Sequence, residues 1–359
     1  MDEGSASGGL GGLDSRALGI GILVCLAMAA AFLLPASGRT TDIPASAART
    51  DGDIVVPAPR AVVPGVWLIS GALRPMREPD GNTVIFEGSD GLIVIDTGRH
   101  LAHRVAIKAF AEQRRLVIVA IVNSHWHLDH VSGNRYLKTA YPRAKVYASR
   151  AIEKALPGFL AQSAADSRQV LASDSFPPQI KEDVRGDLAT VADAGALRPD
   201  VPVEASHVVL LAGRTVNLNL APNAATDGDV WIYDRASGVA AVGDLVTMPS
   251  PFLDTACPLG WETALTKIDE TPFKVLVPGH GEPMTRAQFE TYRQAFSALI
   301  DCSNSSRTKA ECAFDWSTAT AGLRGVNARD ARLAQSMTEY YVADVLRAHG
   351  GKSATCAAT

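Results

Sequence analysis

No long run of lysine or arginine occurs in the 359 residues, and the formal net charge is −4 with both signs interspersed. Such a chain lacks the positive footprint that phosphate backbones require, so a nucleic-acid partner is excluded. No internal repeat of fixed period is present, and one large domain with an extension is the simplest organisation for this length. Cysteine is scarce, with five in all. Cys25 lies within an apolar segment and lacks the small preceding residue that a lipoprotein signal needs, which leaves Cys257, Cys302, Cys312 and Cys356.

What the chain does have at its N-terminus is an apolar, charge-free segment over residues 17–34, about 18 residues and near the lower limit for spanning a bilayer. Arg16 precedes it, Pro35 ends it, and Ala36-Ser37-Gly38 offers a signal peptidase small residues. Cleavage and retention both fit; the length, greater than that of most signal-peptide cores, favours an uncleaved anchor over residues 1–38. Either way the remainder lies outside the cytoplasm, in the periplasm, anchored or secreted, and membrane attachment would run through this segment. Four remaining cysteines in an oxidising compartment predict disulfides. Three pairings are open; the short spacing of Cys302 and Cys312 favours that pair and leaves Cys257 for Cys356.

Residues 39–64, rich in Pro, Ala, Ser, Thr and Asp, read as a flexible linker. From Gly65 onward strands follow: Val66-Trp67-Leu68-Ile69, then Thr83-Val84-Ile85-Phe86 and Leu92-Ile93-Val94-Ile95 joined by the turn Gly88-Ser89-Asp90-Gly91. Residues 101–115 have helical spacing, with Val105, Ala109 and Phe110 on the apolar side. Residues 117–122 form a continuous apolar run, as in a strand covered on both faces. After a strand at 145–148, residues 150–194 read as a helical lid or flank. Further strands follow at 208–211, 215–220, 230–233, 238–242 and 275–277. Two strand-rich halves with helices interspersed predict helices outside two packed sheets, an α/β arrangement over 65–300. Residues 301–359, with Tyr340-Tyr341-Val342 and Val345-Leu346 at helical spacing, read as a helical, cysteine-containing cap.

The strand at 117–122 runs directly into His125-Trp126-His127-Leu128-Asp129-His130. Each buried imidazole or carboxylate needs a partner, so four candidate ligands in six residues exceed what packing requires. His125 and His127 project together from an extended segment, while Asp129 and His130 lie past the turn and address a second point. Two adjacent metal positions follow. Trp126 reads as packing beneath them, and His100, His103 and His349 as surface residues.

This motif resembles that of the metallo-β-lactamase superfamily, and the resemblance extends over residues 65–284. Asp96-Thr97-Gly98, Asp227-Gly228-Asp229, Gly243-Asp244 and Gly279-His280-Gly281 support it. It implies a four-layer αββα sandwich and zinc. His125 and His127 would hold the first metal, Asp129, His130 and His280 the second, and Asp244 would bridge them. Asp96 would fix a ligand by hydrogen bond, and Asp129 would be the catalytic residue that orients the attacking water. In the family, a third histidine usually completes the first site, and Ala225 stands in its place. A weakened first site is one explanation, so that one zinc binds tightly and the second weakly or not at all. Replacement by His207 or Asn223 is another, and a single metal on Asp129, His130, Asp244 and His280 a third.

The resemblance implies hydrolysis of a small-molecule ester, thioester, lactone or amide by hydroxide formed on the metal. An aspartate at Asp244 is similar to glyoxalase II, lactonases and quinoprotein-linked zinc hydrolases, whereas class B β-lactamases carry cysteine or serine there. The opposing expectation is an extracytoplasmic metal-binding protein whose catalysis was lost with the third histidine.

Overall fold

A computed structural model describes residues 54–324 and 328–356. The apolar segment over 17–34 and Cys25 lie outside these residues. No helix among the described residues is long and apolar enough to cross a membrane.

The first sheet takes its strands in chain order: β1 (Arg60–Val63), β2 (Val66–Ile69), β3 (Thr83–Gly88), β4 (Gly91–Ile95), β5 (Ile118–Val122), β6 (Lys145–Ala148) and β7 (Val201–Pro202). Its first four strands are antiparallel and joined directly, while β4, β5, β6 and β7 run parallel. Parallel pairing needs a crossover, and helices supply it. The second sheet contains β8 (His207–Leu211), β9 (Arg214–Pro222), β10 (Gly228–Asp234), β11 (Val239–Ala241) and β12 (Val275–Val277), in the order β12-β11-β10-β9-β8.

Side chains alternate across each strand. Val84, Phe86, Ile93, Ile95, Ala120 and Val122 face the second sheet's Val216, Leu218, Val230, Ile232, Val239 and Val277, forming the core between the sheets. The opposite faces are covered by helices. Ile107, Phe110 and Ala111 of the helix Leu101–Arg114 pack on Ile85, Leu92, Val94 and Ile121. Trp261 and Phe289, from helices Pro258–Asp269 and Arg286–Ser303, lie in the cluster covering the second sheet. The result is the four-layer helix, sheet, sheet, helix arrangement. Full burial of each such side chain is worth about 1.5–3 kcal/mol, and truncating Phe86 to alanine would cost about 3–5 kcal/mol.

Several local expectations need correction. β1 falls within the segment read as a linker, and Ile54 before it is fully buried; prolines at 57, 59 and 64 hide the strand from sequence inspection. In the helix Leu101–Arg114, Phe110 is buried as expected, but Val105 is half-buried and Ala109 exposed. The apolar stripe instead runs through positions 103, 107, 110 and 111. The helix Arg286–Ser303 passes through the boundary placed at residue 300.

The C-terminal part packs against the second sheet's helical layer through Trp316, Leu333, Met337, Tyr341 and Val345. Cys302 pairs with Cys312 and Cys257 with Cys356, as the spacing suggested.

Candidate metal centre

β5 ends at Val122, and Asn123 and Ser124 carry the chain to His125 at the rim of the sandwich. Asp244 enters on the 3-10 turn Gly243–Leu245 that follows β11, and His280 on the loop that follows β12. Two close approaches explain glycines in these loops. A Cβ at Gly279 would collide with the Asp244 carboxylate, and one at Gly81 with the His130 imidazole. The loop of His280 is further braced by Asn82, whose side-chain amide donates to the carbonyls of Pro278 and Gly281, both at 2.9 Å.

All six expected ligands converge. His125, His127 and Asp244 form one group and Asp129, His130 and His280 another, with ligand atoms in each within 4.8 Å of one another. Asp244 faces both. Its Oδ2 is 3.7 Å from His125 Nε2, and its Oδ1 is 3.2 Å from His130 Nε2 and 3.6 Å from His280 Nε2. His280 Nε2 lies 2.9 Å from Asp129 Oδ2. Of the proposed substitutes, His207 is exposed, pairs with Leu218 on β9 and belongs to neither group.

Surrounding hydrogen bonds assign the tautomers. The Ser124 hydroxyl donates to Asp96 Oδ2 at 2.6 Å, so it accepts from His125 Nδ1 at 2.9 Å and leaves His125 Nε2 with its lone pair. Asp96, at a positive φ of 59°, also accepts from His130 Nδ1 at 2.8 Å, as expected of it, and His130 Nε2 is left for the cluster. The third case was not visible in the sequence. The Thr255 hydroxyl donates to the Ala225 carbonyl at 2.8 Å, so it accepts from His127 Nε2 at 3.0 Å and His127 Nδ1 keeps its lone pair. Three imidazoles are thus fixed as ligands by partners on their far side, the usual arrangement around a bound metal.

The electrostatics fit a cation. Burial pushes His125 well below the usual histidine range and His127 down to about 4. Both are neutral and able to bind metal. Burial opposes charge on His130 too, but Asp244, Asp129 and Asp96 surround it and raise it well above the usual value. Asp129 and Asp244, which burial alone would raise, are held below the usual carboxylate range first by His130 and then by neighbours that include His280. The field that holds a proton on His130 would hold a metal ion equally. His125 Nε2 and Asp244 Oδ1 are buried without a hydrogen-bond partner among the described residues, and buried polar atoms without partners are costly. A divalent metal satisfies both.

His100 and His103, expected at the surface, are buried. His100 lies between Asp80 at 2.7 Å and Asp183 at 3.1 Å, and these carboxylates outweigh burial and raise it to about 9. His103 meets Thr83 Oγ1 at 2.8 Å, and burial lowers its pKa. Their partners are distant in sequence, so no local pattern reveals them. His349 is exposed as expected.

The stretch 150–194 supplies helices Phe159–Ala172 and Pro178–Ala192, which wall a cleft over the cluster. Trp126 packs among Phe159, Leu160 and Leu197, and its ring meets that of His127 edge-on at 4.6 Å. Arg99, unremarked in the sequence, connects the lid to the cluster: it pairs with Asp187 on the second lid helix and lies 4.0 Å from Asp129 Oδ1.

A family model described as Metallo-beta-lactamase superfamily matches residues 76–287. A hydroxyacylglutathione hydrolase of Synechococcus sp. (strain JA-2-3B'a(2-13)) is 54% identical over 41 residues, which is 11% of this chain and 16% of that protein. A linear primary-alkylsulfatase of Pseudomonas sp. (strain ATCC 19151) is 27% identical over 228 residues, 56% of this chain and 41% of that one. The chain thus spans less than half the length of these curated relatives. Among solved structures, the stereoselective inverting sec-alkylsulfatase from Pseudomonas sp. superposes with a TM-score of 0.54 at 21% identity, covering 79% of this chain and 49% of that one. A metallo-beta-lactamase family protein from Thermus thermophilus gives 0.53 at 17% identity, with 78% and 94% covered. At these identities the two structures share the fold.

Proposed function

The chain belongs to the metallo-β-lactamase superfamily, and from that premise we propose that it is a metal-dependent hydrolase of an ester, thioester, lactone or amide, exported from the cytoplasm. The observation that carries the reading is the set of three imidazoles whose tautomers are fixed by Ser124, Asp96 and Thr255. A merely structural cluster would have no need to turn three imidazole lone pairs into two adjoining groups of carboxylates and histidines. Hydrolases in its family lend the reading support, as do two disulfides, which persist in oxidising compartments.

His125, His127 and Asp244 would hold one zinc, and Asp129, His130, His280 and the shared Asp244 the other. Bound zinc supplies Lewis acidity and water that ionises near neutral pH. Asp129 orients the attacking water, because its Oδ2 is fixed by His280 and His130 while its Oδ1 faces Arg99 across 4.0 Å. Asp96 and Ser124 keep the imidazoles from turning, so the site is organised before substrate arrives. Trp126 and Phe252, in ring contact with His127 at 4.6 and 4.9 Å, limit water access to the first group.

Ala225 stands at the place of the absent third ligand in this reading, and the first zinc binds more weakly than the second. Elemental analysis of the dialysed full-length protein, run beside a panel of chromogenic esters, thioesters, lactones and a cephalosporin, tests it. The expected result is one tight zinc, a weaker second, and turnover of at least one carbonyl substrate but not the cephalosporin. A protein that binds no zinc, or that binds it without cleaving any member of the panel, overturns the hydrolase reading.

A further inference from the structure

The cleft over the cluster is uneven in charge. At its metal end it is lined by Glu78, Asp129, Asp187 and Asp244, and Arg99 is the one lysine or arginine among its described lining residues. That arginine is already engaged. Arg99 pairs with Asp187, lies 3.9 Å from Glu78, and donates to the Pro79 carbonyl at 3.1 Å. With one bound zinc set against Asp129 and Asp244, an anionic headgroup entering here would still meet Glu78 and Asp187 against Arg99 alone, and the arginine it needs would have to leave both. Toward the lid the lining changes. Phe159, Leu160, Val170, Phe176, Ile180 and Val184 come from the two lid helices and the turn between them.

We propose that the substrate is an uncharged carbonyl compound with an extended apolar acyl chain, its reactive carbonyl at the metal end and its chain along the apolar wall that the lid helices turn to the cleft. This rests on the hydrolase reading above and narrows it. It also separates this chain from its relatives named for hydroxyacylglutathione and for primary alkyl sulfates, both of which are anions. The lid's chemistry accounts for the chain: Phe159 and Phe176 are only half-buried and leave apolar surface to be covered by a ligand, over a packed apolar floor of Leu160, Val170, Ile180 and Val184. Each methylene so covered is worth a factor of about four in binding.

The test uses the zinc-loaded full-length protein with 4-nitrophenyl acetate, butyrate, hexanoate and octanoate, and with S-lactoylglutathione and octyl sulfate as anionic comparators. The expected kcat/KM rises at least about thirtyfold from acetate to octanoate, and both anionic compounds are cleaved at least about a hundredfold less efficiently than the octanoate. Val184→Trp, which puts a larger side chain on the cleft wall, lowers the octanoate-to-acetate ratio at least about tenfold, and Phe159→Ala, which widens the cleft, shifts the preference toward longer chains. Binding is read independently of turnover as quenching of tryptophan fluorescence by 2-decanone against 2-butanone, since Trp126 lines the cleft. Hydrolysis indifferent to chain length, or a preference for either anionic compound, overturns the proposal and leaves the hydrolase reading standing. Tight, Val184→Trp-sensitive binding of 2-decanone without hydrolysis of any ester overturns the hydrolase reading and supports the apolar site. Equal binding of the two ketones overturns the proposal whatever the turnover.

Discussion

The two ligand groups differ in how much of the chain is committed to them. Asp129 and His130 come from the short helix Leu128–Val131 and His280 from the loop after β12, braced by Asp96 and Asn82, with Asp244 as a fourth residue whose carboxylate is within 3.6 Å of both imidazoles. His125, His127 and Asp244 have no fourth histidine, cysteine, aspartate or glutamate grouped with them among the described residues. In the proposed reading the place of a third imidazole is taken by Ala225, which is 1% exposed and packed in the cluster of the second sheet's outer face with Trp231, Leu253 and Ala256. A metal position with four ligands and one with three differ in affinity far more than in the chemistry they offer, so occupancy is where the missing histidine acts.

The largest expected effect breaks the stronger group. His280→Ala removes a ligand from the four-residue position, and the tight zinc should be lost on dialysis, with hydrolysis down at least about 10³-fold, which corresponds to about 4 kcal/mol of barrier. His125→Ala should keep the tight zinc and cost no more than about 10²-fold. Metal content and rate measured on the same preparations check this pair, and equal losses from both variants would erase the distinction between the groups.

Next in size is an effect on stability that comes from the lid side of the stronger group. His100, between Asp80 and Asp183, binds its proton more tightly when folded, with a pKa of about 9, than in the unfolded chain, where a histidine has its ordinary value of 6.5. Its contribution is therefore complete below pH about 6.5 and disappears as pH rises through about 9, and it amounts to at most about 3 kcal/mol. Arg77, 2.8 Å from Asp183, and Arg74, 3.6 Å from Asp80, keep part of the charge balance when His100 loses its proton. Urea midpoints followed from pH 6 to 9.5 should fall more steeply for the parent than for His100→Asn. Parallel slopes would show that His100 does not titrate in this window.

Much of this was legible in the sequence. β2 to β6, the β8–β9 hairpin, β10, β11 and β12 follow from apolar runs and turn residues, because the inner strands β3, β4, β5, β10 and β11 are almost wholly buried and read as continuous apolar segments. Of the six candidate ligands, His125, His127, Asp129 and His130 stand out as one short motif after β5, while Asp244 and His280 come from the family resemblance. The unreadable part is long-range. His100 looks like a surface residue until Asp183, 83 positions away, is placed against it. Thr255 has no motif at all and gains a role only because its loop crosses behind His127 and Ala225. Arg99 follows Asp96-Thr97-Gly98 closely enough to have drawn notice, but its partner Asp187 belongs to the lid.

Thr255 provides a narrower test of the weaker group. Thr255→Val keeps the shape and removes both hydrogen bonds, so His127 loses the partner that fixes its Nε2 proton. Loss of such a partner lowers metal affinity about 10- to 100-fold, and the effect should fall on the weaker zinc alone, with Thr255→Ser close to the parent. Zinc titration by calorimetry separates the two positions; a Thr255→Val protein that loses its tight zinc instead would place Thr255 with the other group.

The smallest expected effect repairs the comparison. Ala225→His offers the first group a third imidazole on a backbone already fixed, since Thr226 N donates to Asp229 Oδ2 at 2.9 Å, Ala224 N to the Thr226 carbonyl at 2.8 Å, and Thr255 Oγ1 to the Ala225 carbonyl at 2.8 Å. The side chain itself has less room than that register suggests. Ala225 is closely packed, and an imidazole in place of a buried methyl costs about 1–3 kcal/mol in strain. Two opposing consequences follow: weaker-site zinc content rises while the zinc-free protein becomes less stable. Hydrolysis of simple esters should increase about tenfold, about 1.4 kcal/mol. Adding Thr255→Ser removes a methyl beside the new ring and keeps the hydroxyl, so the double variant should recover part of the lost stability and bind the second zinc more tightly than Ala225→His alone. Zinc stoichiometry, thermal midpoint and rate on one preparation of each variant give the answer. Higher zinc content with lower turnover would mean that catalysis has adapted to a half-filled centre, and unchanged zinc content in a folded protein would mean that residue 225 does not face the first group.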